Sequence, residues 1–400
     1  MALLPVDEAR ARVMAAFSAL PAEQVSVADA LGRVLAEDVR ARVTQPPAAV
    51  SAMDGYAVRA ADVAAPPATL TVIGEAPAGG ACERAVGAGQ AVRIFTGGPL
   101  PDGADAIVIQ ENTEAGDGVV TVKESSGPGH YIREAGLDFS QGVVGLKVGT
   151  RLGPAEIGLA AAMNVPWLKV RRRPRIAVMA TGDEIVMPGE PIGPHQIVSS
   201  NGPAMSAFIA ERGGVPIDLG IAGDTEASIR ETAAGAAGAD LLVTCGGASV
   251  GEHDLIQSAL APDGLAVDFW KIAMRPGKPL IFGQLGPTPL LGLPGNPVSS
   301  MVCAVLFLAP VIEKMLGVEK APGVAQTARL GRDLMANDRR QDYLRATLAR
   351  DTDGALIATP FEKQDSAMLA RFVAADCLIV RPPNAPAAKQ GDNAEIILLG

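Results

Sequence analysis

The chain has 400 residues, enough for two to four folded units, and its 48% hydrophobic and 20% charged residues exclude a disordered chain. A formal net charge of −10 argues against a general nucleic-acid surface. Four scattered cysteines with no CxxC pair and three scattered histidines exclude a zinc ribbon, a disulfide framework and a His-ligated metal, and fit a reducing compartment.

In chain order, Met1-Ala-Leu-Leu-Pro lacks the basic and apolar segments of a leader. Residues 7–20 place Ala9, Val13, Ala16, Phe17 and Leu20 on one side of a helix, and 27–35 continue a short helical pattern. From about 44 to 149, β-rich runs at 70–73, 91–95, 106–109 and 119–122 alternate with Gly/Pro turns, which predicts a small β unit. Residues 154–163 are helical again and are expected to fold back on the N-terminal helices, making that unit discontinuous. The basic run Lys169-Val-Arg-Arg-Arg-Pro174 reads as a solvated boundary.

Beyond it the pattern becomes α/β. Strand-like 176–180, 217–221, 241–244, 267–271 and 279–282 alternate with helical 204–212, 227–237, 254–261 and 298–316. This order predicts a mostly parallel sheet with helices on both faces and a ligand site at the carboxyl ends of its strands. The most apolar run, 301–312, contains Pro310, is too short to span a bilayer and is expected to be a buried core helix. The chain therefore reads as soluble and cytoplasmic, with neither a membrane nor a nucleic-acid partner. From 321 to 400, short β runs predict a small barrel or sandwich. The expected fold class is α/β plus β, multidomain. Its parts are a helical unit (1–43 with 140–168), a β-rich unit (44–139), a three-layer α/β unit (169–320) and a C-terminal β unit (321–400).

The chemistry gathers in loops. Phe269-Trp-Lys-Ile-Ala-Met-Arg-Pro-Gly-Lys-Pro279 puts Lys271, Arg275 and Lys278 in one short region of an acidic chain. Gly292-Leu-Pro-Gly-Asn-Pro-Val-Ser299 then runs into a helix start, whose open amides are a second anion-binding device. Glu184, Asp224 and Asp254 each follow a strand; together they suit Mg²⁺ beside a phosphate, while singly Asp224 and Asp254 also fit helix capping. Neither GxGxxG nor GxxxxGK[ST] occurs, which weakens dinucleotide and P-loop readings. In the β-rich unit, Asp54 sits in an Asp-Gly turn, Thr96 centres a rich loop, and Asp138 is a loop carboxylate. Arg345, inside a strand pattern, would ordinarily face solvent or pair with Asp342.

The motifs Ser51-Ala-Met-Asp-Gly-Tyr-Ala, Phe95-Thr-Gly-Gly, Pro101-Asp-Gly-Ala-Asp-Ala, Thr181-Gly-Asp-Glu, Gly246-Gly-Ala-Ser-Val-Gly, Lys271-Ile-Ala-Met-Arg-Pro-Gly-Lys-Pro and Leu293-Pro-Gly-Asn-Pro-Val-Ser occur in one order. Together the chain resembles the MoeA-type molybdopterin molybdenumtransferases, the family that includes gephyrin-like E domains. Some of these motifs also resemble molybdopterin adenylyltransferases; the MDGYA region and the C-terminal β segment separate the two.

The resemblance implies four domains and a homodimer whose active sites lie between subunits. It implies Mg²⁺-dependent conversion of adenylyl-molybdopterin and molybdate into molybdenum cofactor and AMP. Asp54, Thr96 and Asp138 would face Glu184, Asp224, Asp254, Lys271, Arg275 and Lys278 across that interface. Asp54, Glu184, Asp224 and Asp254 would be the metal ligands. Ser200, Asn201, Gly246, Gly247, Ser249, Pro294, Gly295, Asn296, Pro297 and Ser299 would contact substrate, with Arg345 and Ser366 at the oxyanion. Position 275 departs mildly, since Lys is also common there, and Lys363-Gln-Asp-Ser366 departs from a commoner Gly-Gln-Gly-Ser. Partners implied are the adenylyltransferase and cofactor-accepting proteins. The alternatives are an adenylyltransferase, which would release pyrophosphate from Mg-ATP, and a non-catalytic scaffold.

Overall fold

The computed structural model describes residues 3–246, 255–318 and 326–399. Asp254, Gly247 and Ser249 lie outside the described residues.

The α/β unit is a six-stranded sheet ordered Val215–Ala222, Arg175–Thr181, Leu241–Cys245, Thr288–Leu293, Pro279–Leu285, Leu265–Lys271. Parallel pairing joins the first four strands, and two antiparallel pairings add the rest, so only Pro279–Leu285 runs against the others. The Ile-, Val- and Leu-rich central strands are buried, as strands covered on both faces must be. One face carries Asn201–Glu211 and the apolar helix of residues 297–316; the other carries Glu226–Ala234 and Leu255–Leu260. The chain leaves Arg175–Thr181 for Val215–Ala222 on one side and returns to Leu241–Cys245 on the other. This reversal opens a crevice between the ends of neighbouring strands.

The apolar helix is longer than the run 301–312. Pro297–Cys303, a π-helical segment Ala304–Leu308 and Ala309–Leu316 make 20 residues, long and apolar enough to cross a membrane by length and composition alone, yet 78% of its apolar window is buried within the protein. Pro310 directly follows the π-helical segment, where the regular hydrogen-bond ladder is already interrupted. It is the core helix the sequence predicts.

The N-terminal region departs from its expected form. The first helix is Val6–Ala15, and its Val6, Ala9 and Val13 pack into the core of the α/β unit, not against the helix Pro154–Ala162. Within 27–35 only Val27–Asp29 is helical. The basic boundary is no linker: Trp167–Arg171 pairs with Ala22–Ser26, burying Leu168 and Val170, while Arg172 forks onto Asp240 at 2.7 and 2.6 Å. Pro154–Ala162 shares a core with Ala30, Leu35, Val39 and Ala41, which lie outside any helix.

The β-rich unit is a six-stranded sheet ordered Ala106–Ile109, Gly55–Val58, Gln90–Ile94, Ala68–Ala76, Val119–Val122, Thr113–Gly116. The C-terminal unit is a closed barrel in which Gln341–Arg350, Leu356–Pro360, Gln326–Leu330, Asn393–Leu398 and Cys377–Arg381 pair in a ring. Met274–Arg275 joins that ring from the α/β unit, pairing with Gln341 and Asp342, so the cationic loop is the seam between the two units.

Candidate active site

At the switch point lies a cleft of about 620 Å³. Its floor is made by strand ends, with Thr181, Cys245 and Gly246. Gly246 has φ +98°, and a Cβ there would stand 2.7 Å from the Thr181 carbonyl, so this turn requires glycine. One wall is Pro294, Gly295, Asn296, Pro297 and Ser299 at the start of the core helix; the other includes Glu184, Ser200 and Asn201. Asn201 Nδ2 donates to the Gly295 carbonyl at 2.7 Å and ties the walls together. The positive end of a 20-residue helix dipole thus meets the cleft.

The C-terminal barrel closes one end. Asn296 Nδ2 donates to Ser366 Oγ at 2.9 Å, and the Val298 amide donates to the Ser366 carbonyl at 3.0 Å. Ser366, whose neighbour Ala367 lines the cleft, therefore sits at the helix start despite its altered motif. Arg345 is 1% exposed, contrary to the expectation that it faces solvent or pairs with Asp342. Its backbone amide and Nε both donate to Gln364 Oε1, at 3.0 and 3.2 Å, and its Nη1 donates to the Met368 carbonyl. Burial lowers the Arg345 pKa, with Asp365 opposing.

Asp342 pairs instead with Arg275, whose guanidinium also reaches Asp338 at 3.5 Å. Arg275 lines a separate cavity of about 220 Å³ with Arg332, Asn337 and Arg381, away from the cleft. Its strand pairs with Gln341 and Asp342, and that register presents it to the carboxylate. Lys278 is half-buried, one residue before Pro279 on the cleft wall. Lys271 is opposite Pro279 in strand register, its Nζ 3.6 Å from the centre of the Trp270 ring.

Among the acids, Glu184 lines the cleft. Asp224 does not cap the following helix, because Thr225 takes that place with its hydroxyl on the Ser228 amide. Asp224 instead exchanges hydrogen bonds with Asp183: the Asp183 amide donates to Asp224 Oδ2 at 3.2 Å, and the Asp224 amide donates to Asp183 Oδ1 at 3.0 Å. Among the described residues no three His, Cys, Asp or Glu side chains converge as a metal site. Sequence reasoning missed Asp183 and the apolar wall of Ile185, Ile197 and Val198, which two short parallel strands present. An apolar pair directly before Ser199-Ser-Asn201 and a helix was the available signal.

The β-rich unit carries its own group. Asp54 Oδ1 accepts from the Thr96 amide at 2.7 Å and from Thr96 Oγ1 at 2.8 Å, and the amide, then the hydroxyl, hold its carboxyl below the usual range. Arg93 stacks beside them on Tyr56 and Phe95. Asp138 lines a cleft of about 590 Å³ with Gly97 and Arg133. The two clefts share no lining residue.

Residues 4–164 match the MoeA N-terminal region (domain I and II), 177–314 a probable molybdopterin binding domain, and 327–399 the MoeA C-terminal region (domain IV). A molybdopterin molybdenumtransferase of Nostoc is 39% identical over 336 residues, covering 82% of this chain and 77% of that protein. One from Haemophilus influenzae is 34% identical over 387 residues, 94% of each. The crystal structure of a molybdopterin biosynthesis moeA protein from Pyrococcus horikoshii superposes with a TM-score of 0.84 at 32% identity, over 100% of both chains.

Proposed function

The chain belongs to the molybdopterin molybdenumtransferase (MoeA) family, whose members insert molybdenum in molybdenum cofactor biosynthesis, and from that premise we propose that the switch-point cleft is where the insertion occurs. In this reading adenylyl-molybdopterin and molybdate give molybdenum cofactor and AMP. The observation that carries it is a cleft bounded by the start of the core helix, by Glu184 and by the Ser366–Ala367 loop of the C-terminal unit, which suits one organic anion and one small oxyanion.

Molybdate, a tetrahedral dianion, would meet Lys278, Arg345, Ser366 and the dipole of the helix whose first turn holds Ser299. Arg275, paired with Asp342 in the separate cavity, would join them only by leaving that carboxylate and turning toward the cleft. Ser200, Asn201, Gly246 and residues 294–297 would seat the pterin side, and Lys271 would offset charge on the departing AMP. No protein nucleophile is required: Cys245, the thiol on the cleft floor, is pushed up to about 12 by burial. The described acids offer hard oxygen donors alone, the chemistry Mg²⁺ prefers. Glu184 and Asp224, with Asp254 and the Asp54 of a second subunit, would hold that ion, which when bound neutralises charge on the phosphoanhydride.

The same reading carries a homodimer, a cytoplasmic location, and exchange with the adenylyltransferase and with cofactor-accepting proteins. The test is to supply purified protein, adenylyl-molybdopterin and molybdate to an apo-molybdoenzyme. Activation of that enzyme is expected; pyrophosphate release from molybdopterin and Mg-ATP, without activation, would favour the adenylyltransferase.

A further inference from the structure

The edge strand Leu265–Lys271 breaks its register against Pro279–Leu285 twice: it carries one extra residue between Val267 and Phe269, just before Trp270, and faces one extra residue between Phe269 and Lys271. Such a bulge re-aims side chains that would otherwise point to opposite faces. Here the neighbours Trp270 and Lys271 meet, the Lys271 Nζ lying 3.6 Å from the Trp270 ring centre. Trp270 is itself anchored, packing against the core beneath Glu226–Ala234 and Leu255–Leu260. Lys271 stands opposite Pro279, a residue of the cleft wall.

The other paired cations of the seam behave differently. Arg275 and Arg340 are both taken by carboxylates. A carboxylate fixes a cation but cancels its charge and occupies its donors. An aromatic face fixes an ammonium while leaving the charge uncompensated and N–H groups directed outward. A lysine stem has four flexible carbons, so unaided it loses considerable freedom when it binds an anion.

We propose that Trp270 is a positioning residue, holding the Lys271 ammonium at the strand end ready for the phosphate of the adenylyl group. The inference rests on the reading that Lys271 meets that phosphate. Trp270 touches no substrate; it acts through the lysine.

The test is a double-mutant cycle on AMP release from adenylyl-molybdopterin, using the full chain. Trp270→Leu is expected to lower kcat/KM about fivefold, the ratio matching a cation–π contact of about 1 kcal/mol. Trp270→Phe keeps a ring and should stay within about twofold. In a Lys271→Met background, Trp270→Leu should cost nothing further, whereas a merely structural tryptophan would cost the same in both backgrounds. As a readout independent of turnover, Trp270 emission in a Trp167→Phe background should change on adding AMP, and the change should vanish with Lys271→Met. Equal losses from Trp270→Leu in both backgrounds, or an AMP response that survives Lys271→Met, would overturn the proposal. Full AMP release by Lys271→Met alone would instead overturn the underlying reading of Lys271.

Discussion

Glu313 is a buried acid in the core helix, with Arg212 at 3.8 Å and Arg151 also facing it. Burial pushes its carboxyl up to about 7 against the two guanidinium groups. A folded acid with a raised pKa binds more protons than the unfolded chain between about 4.5 and 7, so stability falls as pH rises through that window. Urea midpoints of the wild type, corrected for other groups by comparison with Glu313→Gln, should decline from pH 5 to pH 8. The variant should lack that part of the slope; identical slopes would refute the assignment. Asp54 presents the opposite case, a carboxylate held ionised by Thr96. Thr96→Val keeps the amide donor but loses the hydroxyl, and should reduce AMP release without altering the melting temperature, as activity assays and calorimetry would reveal. Asp54 and Thr96 stood out in the sequence, whereas Glu313 did not, and the partners of none of them were readable. Arg345 fitted a period-two strand, but only barrel closure buries it and hands Asp342 to Arg275.

At the scale of elements, the cleft depends on how strands end. Gly246→Ala would force a Cβ toward the Thr181 carbonyl at an unfavourable φ, and should destabilise the fold by about 1–3 kcal/mol, measurable by urea unfolding. An unchanged midpoint would mean that the turn relaxes freely. The alternation of strands and helices in the α/β unit was legible because its central strands are continuous apolar runs. Thr288–Leu293 escaped notice because Pro289 and Gly292 punctuate it. Trp167–Arg171 escaped for another reason: its charges alternate with buried Leu168 and Val170, so a true strand looked like a basic linker. The N-terminal helix was found, but its apolar face cannot say which core receives it.

Across the whole molecule, the candidate groups divide into two surfaces. Glu184, Asn201, Ser299 and Ser366 belong to one, and Asp54, Thr96 and Asp138 to the other. If each complete site is shared between two copies, equal mixing of Asp54→Ala and Glu184→Gln subunits should recover about a quarter of wild-type activity, since half the dimers are mixed and each holds one intact site. Activity that stays at the level of the separate variants would place both groups in one chain's site.

The most direct measurement is AMP release from adenylyl-molybdopterin by the purified protein, with and without molybdate. AMP formation coupled to molybdate is expected, with molybdenum appearing in the pterin product in equal amount. AMP release that is unaffected by molybdate, or molybdate consumed with no AMP formed, would contradict it.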